Sequence, residues 1–208
     1  MLEVVLVCLT AAVTHLLMSF CQTFFHYRLG HRRLGGRLFR NHIYFHHAYY
    51  AKDHLVSNRY LADEGNNTPF FLFPTAVVAL VAYFALPLDL FVVLIAAMSI
   101  SFYAHVYLDK QYHVAGSWLA RFAWFRRKQQ LHFVHHRHAN SNFAVIDFFW
   151  DRMLGTYRDV ESDRRDLADK HHGKSIALHG LPRDFRPEQR RRWEAWRGLN
   201  RPPPLHRR

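Results

Sequence analysis

Long uncharged apolar runs alternate along the chain with short basic or polar stretches. From Val4 to Phe25 the only strongly polar interruptions are His15 and Gln22, and about 20 such residues cross a bilayer as a helix. A cleaved signal peptide is the rival reading, but it calls for a positive n-region, and the chain starts Met1-Leu2-Glu3 with no clear small-residue cleavage site. From Phe70 to Leu108 there is no Lys or Arg and one carboxylate, Asp89. Pro87 and Asp89 mark a tight turn there, which predicts a hairpin of two spans, about 70–86 and 88–108. Pro74 falls near the start of the first, where it is tolerated. His15 stands alone in its span and is expected to face the helix bundle as a polar residue rather than to bind metal.

The expected fold is therefore all-α: an integral membrane helical protein with about three transmembrane helices (4–25, 70–86 and 88–108) and a cytosolic helical cap. Arg28, Arg32, Arg33, Arg37 and Arg40 follow the first run, whereas the Leu86–Asp89 turn carries no basic residue. The positive-inside bias puts 26–68 and 109–208 in the cytoplasm. Leu38 to Tyr50 has helical character with aromatic anchors, which suits a helix at the membrane surface. Lys52 to Thr68 reads as a polar connector ending in an Asn66-Asn67-Thr68-Pro69 turn. After Lys110, Trp118, Phe122, Trp124 and Phe125 alternate with Arg121, Arg126, Arg127 and Lys128, a pattern that marks the headgroup interface. Residues 1–158 form the membrane domain. Residues 159–208 form a basic, partly disordered cytoplasmic tail with a short helix from Pro187 to Trp196.

Composition sharpens this picture in two places. The chain is 50% hydrophobic yet carries a net charge of +12, which alone would suit nucleic acid, anionic lipid or a solvated face. No base-reading motif is visible, so a nucleic-acid module built on the tail is a minor alternative and no nucleic-acid partner is expected. The two cysteines, Cys8 and Cys21, lie in the first apolar run, which excludes a disulfide framework or Cys-based zinc site and predicts buried, small apolar side chains. No CxxC pair, glycine-rich phosphate loop, HExxH helix or GxSxG elbow occurs. Histidine is the anomaly, with 17 residues.

His132, His135 and His136 fall at i, i+3 and i+4, on one face of a helical turn. His42, His46 and His47 lie at i, i+4 and i+5; the adjacent pair fans apart and suits two ions better than one. His26 and His31 are about 140° apart on an ideal helix, which predicts that one of them sits where Gly30 breaks the helix. These eight imidazoles exceed one tetrahedral zinc and suffice for a pair of metals; neutral imidazole suits iron, zinc, copper or nickel. His54, His138, His171, His172, His179 and His206 are isolated and read as satisfied polar or surface residues.

The pattern His26-x4-His31, His42-x3-His46-His47 and His132-x2-His135-His136, interrupted by an apolar hairpin, resembles the fatty acid hydroxylase superfamily, which includes the sterol desaturases. Trp150-Asp151-Arg152 and Gly155-Thr156-Tyr157 look like that family's trailing segment. The resemblance covers about residues 20 to 158 and implies an integral-membrane, histidine-box di-iron oxygenase. It carries His113 over as a further ligand, in a stretch reading His105-x3-Asp109-x3-His113. Asp109 stands where a histidine is expected, and either ligates or holds a ligand imidazole as an outer carboxylate; His105 is an additional ligand or a packing residue.

The resemblance implies two Fe ions, with zinc an expected occupant on isolation, and O2 as co-substrate. The reaction implied is hydroxylation or desaturation at an unactivated C–H bond of a membrane lipid, such as a sterol or fatty acyl chain. No flavin, haem or nicotinamide signature is present, so electrons are expected from an external donor of cytochrome b5, ferredoxin or reductase type, which the basic face could dock. The alternative is a non-redox zinc-binding membrane protein. Zinc transport would need ionisable residues through the membrane interior, where only His15, Asp89 and His105 stand.

Overall fold

The computed structural model describes residues 1–51, 54–60 and 68–171. Among these the protein is all-helical, without strands. Helix α1 (Leu2–Phe25) runs straight into a π turn (His26–Gly30); α2 (Arg37–Asn41) runs into a second π turn (His42–His47). The hairpin follows as α3 (Thr68–Ala85) and α4 (Leu88–His113), then α5 (Ala123–Arg137), α6 (Phe149–Met153) and α7 (Val160–His171). The Asn66–Asn67 turn, the proposed helix at Pro187–Trp196, and His172, His179 and His206 lie outside the described residues.

Two of these helices are long and apolar enough to cross a membrane: α1 with its π turn, and α4. Their outward faces leave Leu2, Val5, Leu9 and Val13, and Val92 and Ile100, exposed. A soluble core helix would bury such residues; an uninterrupted apolar exterior matches lipid. α3 is a shorter apolar helix with exposed Leu80, Val81 and Phe84. Met18, Ala82, Leu94 and Met98 form the core where α1, α3 and α4 meet. Above it, Leu108 and Tyr112 of α4 pack with Phe125 of α5, and with Val145 and Ile146.

Several expectations change. α4 does not end at 108; it continues to His113, placing that imidazole at the helix terminus. Cys8 is exposed and Cys21 half-buried rather than both buried, because the outer face of an apolar helix here has no protein against it. His15 does face the helix bundle as a polar residue, as expected: its Nε2 lies 3.2 Å from Asp147 Oδ2 and its Nδ1 3.1 Å from Ser101 Oγ. Ser19 donates to the same Asp147 oxygen at 2.7 Å and accepts from Trp150 Nε1 at 3.2 Å. This polar chain ties α1, α4 and the segment after α5 together across the apolar layer. His138 is the satisfied polar residue expected, half-buried and paired with Asp163, which also takes two nitrogens of Arg137; the pairing docks α7 on α5.

Candidate metal centre

The two π turns solve a problem of angular spacing. In an α-helix, residues five apart diverge by about 140°; a π turn closes i to i+5 at roughly 80° per residue, bringing them back to within about 40°. The first π turn is sealed by His31 N–H donating to His26 O at 3.1 Å. The helix ends at Gly30, as expected, with His31 the first residue beyond it at φ −111° and ψ 1°. Gly30 also gives the rings room: a Cβ there would sit 3.0 Å from His26 Cδ2 and 3.4 Å from His42 Cδ2. The Nε2 atoms of His26 and His31 end 3.2 Å apart. The second π turn does the same for His42 and His47, whose Nε2 atoms are 3.1 Å apart.

The nine imidazoles fall into two groups. His26, His31, His42, His47 and His135 form one; His46, His113, His132 and His136 form the other. Each adjacent pair is divided, with His47 and His135 in the first group and His46 and His136 in the second. The rings of His47 and His136 stack where the groups meet, their centroids 4.3 Å apart. His113 and His135 are fully buried. His105 belongs to neither group.

Backbone carbonyls orient the rings. Nδ1–H of His26 donates to Phe143 O at 2.6 Å and that of His135 to Ser141 O at 2.7 Å. In the second group His136 donates to Tyr50 O at 3.0 Å and His113 to Leu55 O at 2.8 Å. An N–H committed at Nδ1 leaves an unprotonated Nε2, the arrangement of ligand histidines. The segment holding Leu55 is itself lashed to the end of α4 by Ser57 N to His113 O and Ala115 N to Ser57 O, both 2.9 Å. The carbonyls of the first group belong to the loop after α5, where buried Asp151 accepts from Phe143 N, Ala144 N and Thr156 Oγ. Asn142, at φ +53°, also closes that loop, donating to Leu131 O and Arg158 O.

The donor set fits metal better than it fits itself. His42 Nε2 lies 2.8 Å from His26 Nε2, 3.0 Å from His31 Nε2 and 3.1 Å from His47 Nε2. One ring nitrogen carries at most one proton and cannot bond three neighbours. Two nitrogens each bound at about 2.0–2.1 Å to one cation, at right angles, stand about 3 Å apart, as these do. The Nδ1 atoms of His31, His42 and His132 are buried without partners among the described residues. Burial pushes His46 down to about 3. Burial, then the neighbouring imidazoles, hold His31, His42, His47, His132 and His136 well below the ordinary histidine value, and burial does the same to His135. All seven therefore present neutral rings at pH 7, the form that binds metal.

A family model for fatty acid hydroxylases matches residues 11–156. The chain belongs to the fatty acid hydroxylase family. No curated protein and no solved structure gives a match. Family membership implies an oxidative, metal-dependent enzyme of the lipid hydroxylase and desaturase class, and in this fatty acid hydroxylase family chain the matched span includes every histidine of both groups. Asp109 stands at the edge of the second group, its Oδ1 3.4 Å from His132 Nε2 and its Oδ2 accepting from Tyr60 OH at 2.5 Å. The pairing with Tyr60 escaped the sequence reading, as did the four carbonyl acceptors, since a main-chain oxygen leaves no trace in residue type.

Proposed function

We propose that this chain is an O2-dependent di-iron oxidase of a membrane lipid, hydroxylating or desaturating an unactivated C–H bond. The observation that carries the proposal is the division of nine imidazoles, seven buried and two half-buried, into two groups, with their Nε2 atoms converging. His26, His31, His42, His47 and His135 would hold one ion; His46, His113, His132 and His136 would hold the other. Asp109, steadied by Tyr60, adds a carboxylate either to that second ion or to the imidazole of His132. Bound iron supplies O2 activation and the one-electron steps that break the C–H bond. The chain's own part is to fix the rings of His26, His113, His135 and His136 through their Nδ1–carbonyl bonds, keep the imidazoles neutral by burial and exclude water. Zinc is an expected occupant of protein isolated in air.

In this reading α1, α3 and α4 all span, and the arginines between Arg28 and Arg40 place the histidine-bearing segments and the C-terminus in the cytoplasm. Residues 1–158 act as the membrane domain and 159–208 as its basic tail. The basic cytoplasmic face would dock an acidic electron carrier of cytochrome b5, ferredoxin or reductase type. The test is O2 uptake by iron-loaded protein given a reductant and lipid, with His135→Ala and His136→Ala as variants. Uptake and lipid oxidation in the wild type, lost in both, are expected. Activity retained in either variant overturns the proposal, and metal binding without O2 uptake returns the protein to a non-redox zinc role.

A further inference from the structure

Gln22 lies on α1 four residues before His26, on the same helix face and about 6 Å further into the apolar layer. Its side chain is 1% exposed, and neither Nε2 nor Oε1 has a hydrogen-bond partner among the described residues. It lines a narrow cavity between α1 and α3, with Leu17, Met18, Cys21, Pro74 and Val78. A buried primary amide left unbonded at both ends is costly, more so where no solvent can reach it. A leucine would fill the same place without that penalty. The amide thus stands there at a cost, beside a cavity that admits a group of about the size of a water molecule.

The partner's chemistry follows from the two vacant ends. Nε2 donates and Oε1 accepts, so one small group that satisfies both must accept and donate. A hydroxyl does this. Ethers, esters and olefins only accept, and would leave Oε1 unpaired. A carboxylate or phosphate also only accepts, and would bring a charge into the apolar layer. We propose that Gln22 is the docking point for the hydroxyl group of a lipid alcohol, and that it places the neighbouring carbons of that lipid about one helical turn from His26. Calling that lipid the substrate rests on the proposed oxidase activity; the binding itself does not.

The experiment compares equilibrium binding of 1-hexadecanol with that of its methyl ether to the metal-loaded, full-length protein in detergent. The two probes share a chain and differ in the O–H. One hydrogen bond in an apolar site predicts alcohol binding about tenfold tighter than the ether in the wild type. In Gln22→Leu and Gln22→Met the ratio falls to about one, with metal content unchanged because Gln22 belongs to neither imidazole group. A wild-type ratio of one overturns the proposal by itself, and means that the cavity holds only a buried water. A tenfold ratio that persists in both variants overturns it too. If the ratios behave as expected but the iron-loaded protein oxidises no lipid, the hydroxyl site stands and the proposed activity fails.

Discussion

The carboxylate of Asp151 decides how well the first imidazole group is held, and its removal can be worked through in numbers. It is fully buried, accepting from Phe143 N at 2.7 Å, Thr156 Oγ at 2.7 Å and Ala144 N at 3.0 Å. Burial pushes its carboxyl up and those three donors pull it down, with burial the larger. The charge is thus no great gain over water, and the loss on mutation comes from the donors left behind. Each buried donor without an acceptor costs about 1–3 kcal/mol, so Asp151→Ala, which strands three, should lose roughly 3–9 kcal/mol, against a typical total of about 5–15 kcal/mol. Asp151→Asn keeps one good acceptor oxygen but turns an NH2 toward another donor, for about 1.5–3 kcal/mol. The loop so loosened carries Ser141 O and Phe143 O, which orient His135 and His26. The second group takes its carbonyls from Tyr50 and Leu55 and should be spared. Asp151→Asn is therefore expected to fold with a lower unfolding midpoint and to retain about half of the metal that the wild type binds. Thermal unfolding in detergent and metal analysis on the same preparation read both quantities. An unchanged midpoint with full metal content would refute the reasoning.

Three further outcomes are expected. Gly30→Ala sets a Cβ 3.0 Å from His26 Cδ2, and should weaken metal retention in the first group about tenfold in chelator competition while leaving the helices intact by circular dichroism. In chelator-stripped protein, burial has lowered His46 to about 3, so between about pH 6.5 and 3 the unfolded chain binds a proton that the folded one refuses. Stability should fall with falling pH across that window by up to about 1.4 kcal/mol per unit from this residue, and stay level above pH 7; a midpoint constant from pH 7 to 5 counts against it. Alanine at His46 and at His136 should give matching residual metal contents and cobalt spectra, and alanine at His47 should match His135; similarity between sequence neighbours instead would break the assignment of the groups.

Much of the scaffold was legible because apolar length is a strong signal: the runs at 4–25 and 70–108 correspond to α1, α3 and α4. The histidine boxes were legible because ligand spacing is local. What escaped is what helical periodicity assumes away or what residue type does not encode. A fixed turn of about 100° per residue puts His31 and His47 off the faces of His26 and His42, so the π turns could not be read. The partner of His15 is Asp147, more than a hundred residues away and visible only after folding. Gln22 was visible as a polar interruption in the first run, but that its amide has no partner among the described residues is a property of packing. Asp151 could be read as part of a trailing motif, though not as the residue that receives the loop's amides.

The two His-His pairs carry the strongest physical argument for two ions. Adjacent side chains on a helix diverge by about 100° and, even in a π turn, by roughly 80°, so neighbours cannot both close on one small cation without distorting the backbone. A single-metal site built on His46-His47 or His135-His136 would waste one imidazole of each pair as a buried neutral polar group with nothing to bind, at a cost of about 1–3 kcal/mol apiece. Divided between two groups, every ring is used. The stacking of His47 on His136, 4.3 Å between centroids, then holds the groups side by side. The same dipeptide on two segments distant in sequence is what makes the groups neighbours: each pair straddles the boundary, so the distance between the groups is set by covalent geometry within a dipeptide and not by the looser packing of one helix on another.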